Sequence, residues 1–409
     1  MSTHTSRLSI CAINFGVFIG LLVCMGFVEA RSYMLLASIF MLGMFLGLKR
    51  FPERLNIITF LCVLGLGASV LYHYSGYNPL FQDDGMYLNE GLKLASQPYG
   101  ELYRGLSGAG TITADNYKYV VGMILRLFER NYMGVVCLNF VCLFVALSIL
   151  SVASCDWRRL LLIVFTISEF IFWGGFIFKD IFVGLLMLIQ AYLLQKRKNL
   201  FLRISLFLLS AFLIDEFKVG LGISTLVFGA LAIVVKKHYL NSVYMKVGVM
   251  SLLLMILGVL PGYLGDLGFS ATYADKIRAY AEFVANKDLG SGLLSWTLSL
   301  PPLLTPIKAI VVPIPLALSI STYGLLLIIV RAATFVCFLR WFLASSENNA
   351  TMRFANLLCV FWFSWVVVFM PGVFRHIVVF IPLIVYALSY EKSYSLPRWI
   401  PVLSWESNR

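Results

Sequence analysis

Charge is scarce in this 409-residue chain: Asp, Glu, Lys and Arg make up 13% of it, against 60% hydrophobic residues. That balance excludes an ordinary soluble domain, which carries about 25% charged residues. A cysteine framework is missing too. The eight cysteines (Cys11, Cys24, Cys62, Cys137, Cys142, Cys155, Cys337 and Cys359) fall within or at the ends of apolar runs, and no C-x-x-C pair occurs. They read as small core residues, which excludes a disulfide scaffold and a zinc site. There is no repeat with a period of about 20–50 residues and no low-complexity tract.

Apolar runs are what the chain has in abundance. Many approach the roughly 20 residues that span a bilayer as a helix. The first, SICAINFGVFIGLLVCMGFV, covers 9–28 with only Arg7 ahead of it in basic charge. FVEARSY makes a poor cleavage site and a second run follows at once, so 9–28 reads as a retained helix.

The net charge of +12 is topogenic. Lys and Arg gather in KRFPER (49–54), DWRR (156–159), QKRKNLFLR (195–203), KKHYLNSVYMK (236–246) and the C-terminal tail, as cytoplasmic connections do. That distribution argues against a nucleic-acid partner. Placing these loops inside the cell yields about twelve spans, near 9–28, 32–48, 56–73, 131–153, 160–178, 180–195, 202–216, 219–235, 246–264, 318–342, 354–371 and 374–390. The expected fold is therefore an all-α integral membrane protein, one polytopic domain over 1–409, with both termini cytoplasmic.

Two long segments, 74–130 and 265–317, are left outside. The first carries FQDDGMYLNEGLKLASQ (81–97), a Gly/Thr-rich turn (GLSGAGTITADN) and the amphipathic YKYVVGMILRLFERNY. The second opens with an amphipathic stretch, 270–287, on which Tyr273, Ile277, Tyr280, Ala281 and Val284 recur at helical spacing. It continues through Pro301, Pro302, Pro306, Pro313 and Pro315, too many prolines for one straight span and suited to short interfacial or re-entrant helices.

The acids sort by side. Few occupy cytoplasmic connections, whereas Asp83, Asp84, Asp180, Asp215, Glu216 and Asp266 collect at outer helix ends, joined by Lys179, Lys218, Arg375 and His376. Widely separated stretches thus deliver mixed charge to one face, as a polar cavity opening outward requires. Each group also has a structural reading. Asp83 or Asp84 suits the cap of a helix starting near Gly85, Asp180 the cap of 181–195, and Asp215 or Glu216 the cap of the span near Val219. Lys218 fits that last reading badly, since a cation opposes the dipole at a helix start. Lys179, Arg375 and His376 suit interface anchors. Glu169, mid-span in 160–178, costs roughly 2.5–3.5 kcal/mol if charged, so it is protonated, paired or turned to a polar cavity.

The acidic pair in the first large outer loop, followed by an amphipathic helix, resembles the multi-span glycosyltransferases of the GT-C fold. FWGGFIFKDIFVGLLMLIQAYLL (172–194), AFLIDEFKVGLG (211–222) and FRHIVVFIPLIVYALS (374–389) are similar to segments of bacterial surface-polysaccharide transferases and polymerases. The resemblance implies a bacterial inner-membrane enzyme. It would take a sugar or glycan from a polyprenyl-phosphate-linked donor and pass it to a glycan or lipid-linked acceptor on the extracytoplasmic face.

The chemistry asks for the same groups. A carboxylate, Asp83 or Asp84, deprotonates the acceptor hydroxyl, and cations hold the leaving phosphate. Lys179, Lys218, Arg278 and Arg375 are the outer cations, with Asp180, Asp215, Glu216 and His376 completing the substrate-binding set. No cofactor is called for. A divalent cation bridging Asp83 and Asp84 is allowed, but no His or third acid nearby requires one. The rival expectation is a transporter or flippase, for which about twelve spans is a familiar count.

Overall fold

The computed structural model describes residues 52–73, 75–79, 82–108, 116–153, 168–195, 199–218, 220–235, 243–266, 341–342, 345–346, 350–369, 379–388 and 391–393. The expected spans at 9–28 and 32–48, nearly all of 265–317 and of the span at 318–342, and the candidate residues Arg278, Arg375 and His376 lie outside these.

The described chain is mostly helical. In order come α1 (Pro52–Tyr72), α2 (Gln82–Leu94), α3 (Tyr99–Gly108), α4 (Tyr117–Leu127), α5 (Met133–Ala153), α6 (Ser168–Gly174), α7 (Asp180–Gln195), α8 (Leu200–Phe217), α9 (Leu221–Val234), α10 (Val243–Asp266), α11 (Ala350–Phe369) and α12 (Ile381–Leu388). The departure from helix is one short antiparallel ladder, β1 (Ser345–Ser346) against β2 (Glu391–Ser393), pairing Ser345 with Ser393 and Ser346 with Glu391. Among the described residues one stretch, Met133–Leu150, is both long and apolar enough to cross a bilayer, and it is mostly buried within the protein. Asp180–Gln195, Leu221–Val234 and Tyr244–Ile256 are apolar but shorter.

Two compact units emerge. The first takes the described residues within Met1–Leu161, Phe170–Gln190 and Ile204–Ile223. Its core helix, α5, is apolar on every side, as a helix surrounded by protein is; Val136, Phe140, Leu143 and Leu147 are buried. Asn131 starts it, its Oδ1 accepting the Met133 N–H at 2.9 Å. α1 packs on α5, and α4 holds α2, α3 and α5 around itself.

Small residues let α2 and α4 approach closely. A Cβ on Gly91 would stand 2.6 Å from Val121 Cγ1, and one on Gly122 would stand 2.9 Å from Leu94 Cβ. The sequence reading names no helix over α3, and its last residues, from Gly105 to Gly108, open the stretch read as a Gly/Thr-rich turn. Packing makes it a helix. Leu102 is fully buried, and Arg126 of α4 donates to the carbonyl of Gln97 while its guanidinium covers the Tyr99 ring at 5.0 Å.

The second unit takes the described residues within Leu162–Glu169, Ala191–Arg203 and Ser224–Arg409, with α10 against α11 and α11 against α12. Basic residues stitch it together at helix ends. Arg203 Nε donates to Leu193 O at 2.7 Å in the last turn of α7, and Arg353 Nε to Ala232 O at 2.8 Å in the last turn of α9. The buried Lys246 donates to Trp341 O (2.8 Å) and Phe342 O (3.2 Å) and lies over the Trp341 ring at 5.2 Å. Cations at helix C-termini satisfy orphan carbonyls and offset the dipole. These basic residues therefore do structural work within the unit.

Candidate functional site

The site grows from a break in the first unit. The sequence reading carries a single helix through 160–178, but α6 ends at Gly174 and 175–179 is non-helical before α7 resumes at Asp180. The side chains of Phe176, Ile177 and Phe178 are buried, so the exposed peptide groups of this turn need protein partners. Three side chains supply them. His73 Nε2 bonds Gly175 O at 2.9 Å, Asn139 Nδ2 donates to Phe176 O at 2.7 Å, and the Ile177 N–H donates to Tyr77 Oη at 2.9 Å. The tautomer of His73 follows from its partners. Nδ1 accepts the Asn78 N–H at 3.1 Å, so Nε2 carries the proton and the ring is neutral. The ring stacks on Tyr77, centroids 4.6 Å apart and nearly parallel.

Tyr77 carries the network to the acidic pair. Its hydroxyl donates to Asp84 Oδ2 at 3.1 Å. Burial first, and then the neighbouring Asp84 carboxylate, push that hydroxyl above the ordinary tyrosine range. Asp84 is fully buried, and its Oδ1 also accepts the Gly85 N–H at 2.8 Å. α2 begins at Gln82 and not near Gly85, so both acids sit inside its first turn, where negative charge complements the helix dipole. Asp83, unlike its neighbour, keeps partial exposure.

The other candidates among the described residues gather in the same unit. Asp180, the first residue of α7, is buried and pairs with Lys218 at 2.7 Å. That pair explains Lys218: its partner is the acid at the start of α7. Asp215 does cap, its Oδ1 accepting the N–H groups of Gly220 (2.9 Å) and Ile223 (3.3 Å). Gly220 sits at φ +81°, a left-handed turn that suits glycine. Glu216 accepts a hydrogen bond from Asn116 Nδ2 at the start of α4. Lys179 Nζ lies 5.7 Å from the centroid of the Tyr87 ring. Tyr87 meets Tyr117 edge to face (5.1 Å), and Tyr117 meets Phe217 (5.9 Å).

Seven of the ten candidates (Asp83, Asp84, Lys179, Asp180, Asp215, Glu216 and Lys218) thus stand in one unit, at the ends of α2, α7 and α8. His73, Tyr77, Tyr87, Asn116, Tyr117 and Asn139 join them and were not anticipated. For the helix break a signal existed: Gly174–Gly175 in the middle of an apolar run. Glu169 lies in α6. Among the described residues no three His, Cys, Asp or Glu side chains converge into a group able to hold a metal. No family model, curated protein or solved structure matches the chain.

Proposed function

We propose that this chain is a multi-pass membrane glycosyltransferase of GT-C type. It would move a sugar or glycan from a polyprenyl-phosphate-linked donor to a glycan or lipid-linked acceptor on the extracytoplasmic face of a bacterial inner membrane. The observation that carries the reading is the convergence of separate helix ends, from α2, α7 and α8, on one mixed-charge cluster braced by Tyr77 and Tyr87.

Two further observations support the membrane setting. α8 exposes Phe201, Leu202, Ile204, Leu208, Leu209 and Phe212, an apolar surface suited to lipid and unsuited to water. Within each unit, the connections that meet are ones that basic-loop counting assigns to the same side. Examples are His73 with Gly175 outside and Tyr386 with Gln195 inside.

In the proposed step Asp83, partly exposed, takes the proton of the acceptor hydroxyl. The oxygen attacks the anomeric carbon of the donor, and the bond from that carbon to the phosphate oxygen breaks. The phosphate leaves with the electron pair, and the proton stays on Asp83. Asp84 is held by Tyr77 and Gly85 and serves to fix the first turn of α2. Lys179 is the described cation for the leaving phosphate; Arg278 and Arg375 are its proposed companions.

The test is made with the purified full chain in nanodiscs, supplied with a radiolabelled polyprenyl-phosphate-linked sugar fraction and a glycan acceptor. Label that appears in a lipid-free, acid-resistant glycan supports transfer. In sealed vesicles, label that crosses the bilayer while still lipid-linked, with no new glycosidic product, would assign the chain to the transporters.

A further inference from the structure

Asn116 is in the wrong conformation for the role its position offers. It immediately precedes α4, and Asn is among the best helix caps, because its side-chain oxygen accepts an N–H two or three residues on. That needs an extended backbone. Asn116 has φ −68° and ψ −12°, and its side chain makes no cap bond. The cap, a stabilising contact at most helix starts, is forgone.

The amide is committed elsewhere. Asn116 Nδ2 donates to Glu216 Oε2, a residue 100 positions away in the last turn of α8. The carboxylate settles which way the amide faces, because only the NH₂ end can serve it. Oδ1 therefore points away from Glu216. Asn116 is 4% exposed, and among the described residues its buried Oδ1 has no hydrogen-bond partner. A buried acceptor left so forfeits its hydration with nothing in exchange, and such groups are rare enough in folded proteins to call for a ligand or a role.

We infer that Asn116 Oδ1 and the Glu216 carboxylate form a recognition pair for two neighbouring hydroxyls of a sugar. The inference deepens the glycosyltransferase reading and rests on it. Both atoms of the pair are acceptors, so the group they receive must donate. A sugar–lipid phosphodiester offers only acceptors, and any phosphate would meet a like charge at Glu216, so this is a place for a sugar ring and not for a lipid phosphate. A vicinal diol supplies two O–H donors side by side.

The pair belongs to the same cluster as Asp83. Asn116 adjoins Tyr117, which is wedged between Tyr87 and Phe217; Phe217 follows Glu216, and Tyr87 lies four residues beyond Asp83 on the same face of α2. Glu216 belongs to the substrate-binding set expected from the sequence; Asn116 does not.

The test uses the full chain in nanodiscs and saturation-transfer NMR with methyl glucoside, methyl galactoside and methyl mannoside. The 2-deoxy and 4-deoxy analogues, ethylammonium and inorganic phosphate serve as comparison probes. At least one glycoside should bind, and removing one of its hydroxyls should weaken it about tenfold or more. Asn116→Leu should lose glycoside binding to a similar degree. Its melting temperature should stay near the wild type's, because removal of the orphaned acceptor offsets the lost bond to Glu216; a large fall would mark Asn116 as merely structural. Glu216→Gln, which keeps the shape and one acceptor, should bind with intermediate strength.

Failure to bind any glycoside, wild-type binding by Asn116→Leu, or binding of ethylammonium in preference to every glycoside would overturn the assignment. The enzyme reading fails separately. If Asp83→Asn abolishes transfer while Asn116→Leu binds normally, the recognition pair is wrong and the enzyme stands. If glycosides bind through Asn116 but no transfer occurs, the pair stands as a sugar site and the enzyme reading falls.

Discussion

Tyr77 donates its hydroxyl hydrogen to Asp84 at 3.1 Å while the same oxygen accepts the N–H of Ile177 at 2.9 Å. One phenol thus ties the first turn of α2 to the break between α6 and α7, where Ile177 lies 100 residues beyond Tyr77. Its ring is stacked on His73, which bonds the same break at Gly175. Asp84 cannot move without disturbing the turn that positions Lys179 and Asp180.

Replacing Tyr77 with Phe keeps the stacking and removes both hydrogen bonds. A buried carboxylate and a buried amide then lose a partner, and thermal unfolding should show a loss of about 2–3 kcal/mol. A pH series adds an independent signature. The Tyr77 pKa is raised in the folded protein, so the stability this brings is complete below the unfolded value of about 10 and declines as pH climbs beyond it. The wild type should soften above about pH 10 more steeply than Tyr77→Phe. Equal slopes would mean that the hydroxyl is not held as described.

The Asp180–Lys218 pair is nearly dry, with Asp180 2% and Lys218 13% exposed. Removing one charge strands the other, so Lys218→Met should destabilise by about 3 kcal/mol or more. The double variant Asp180→Leu/Lys218→Met should recover much of that loss, because an apolar pair of similar volume often matches a buried ion pair. A double-mutant cycle by thermal denaturation reads the coupling; additive losses would dismiss it.

Lys246 is 1% exposed and donates to two carbonyls at 341–342. Lys246→Met keeps the apolar stem and leaves those acceptors bare, at about 1–3 kcal/mol by thermal denaturation. An unchanged melting temperature would show that the buried ammonium contributes no net stability.

Much of this framework is legible in the sequence. The runs read as spans at 56–73, 131–153, 180–195, 202–216, 219–235, 246–264 and 354–371 correspond to α1, α5, α7, α8, α9, α10 and α11, because unbroken apolar stretches end at charged or glycine-bearing turns. The cap role of Asp215 is likewise a local property. What could not be read depends on contacts between separate elements. Asp83 and Asp84 are chemically alike and adjacent, and only the arrival of Tyr77 separates a buried acid from an accessible one. His73 and Asn139 are single polar residues at the end of, or within, apolar runs, and their meaning comes from a helix break they do not themselves encode. α3 exists because Leu102 is buried, against the local preference of its glycines.

Sidedness has a direct check. In a variant whose eight native cysteines are replaced, Ser107→Cys should react with an impermeant maleimide on intact spheroplasts. Ser346→Cys, on β1, should react only after lysis. The reverse pattern would put the acidic cluster on the wrong face for an extracytoplasmic transfer.

The measurement closest to the central claim compares Asp83→Asn with Asp84→Asn in the sugar-transfer assay at matched folded protein. Asn keeps the shape of Asp and is a very weak base. Asp83→Asn should therefore retain the wild-type melting temperature while turnover falls by roughly 10²–10⁴-fold. Asp84→Asn should chiefly lower the melting temperature, since it disturbs the bond to Tyr77, and should turn over in proportion to the protein that remains folded. Wild-type turnover by Asp83→Asn would contradict the assignment of that carboxylate as the base and, with it, the catalytic reading of the cluster.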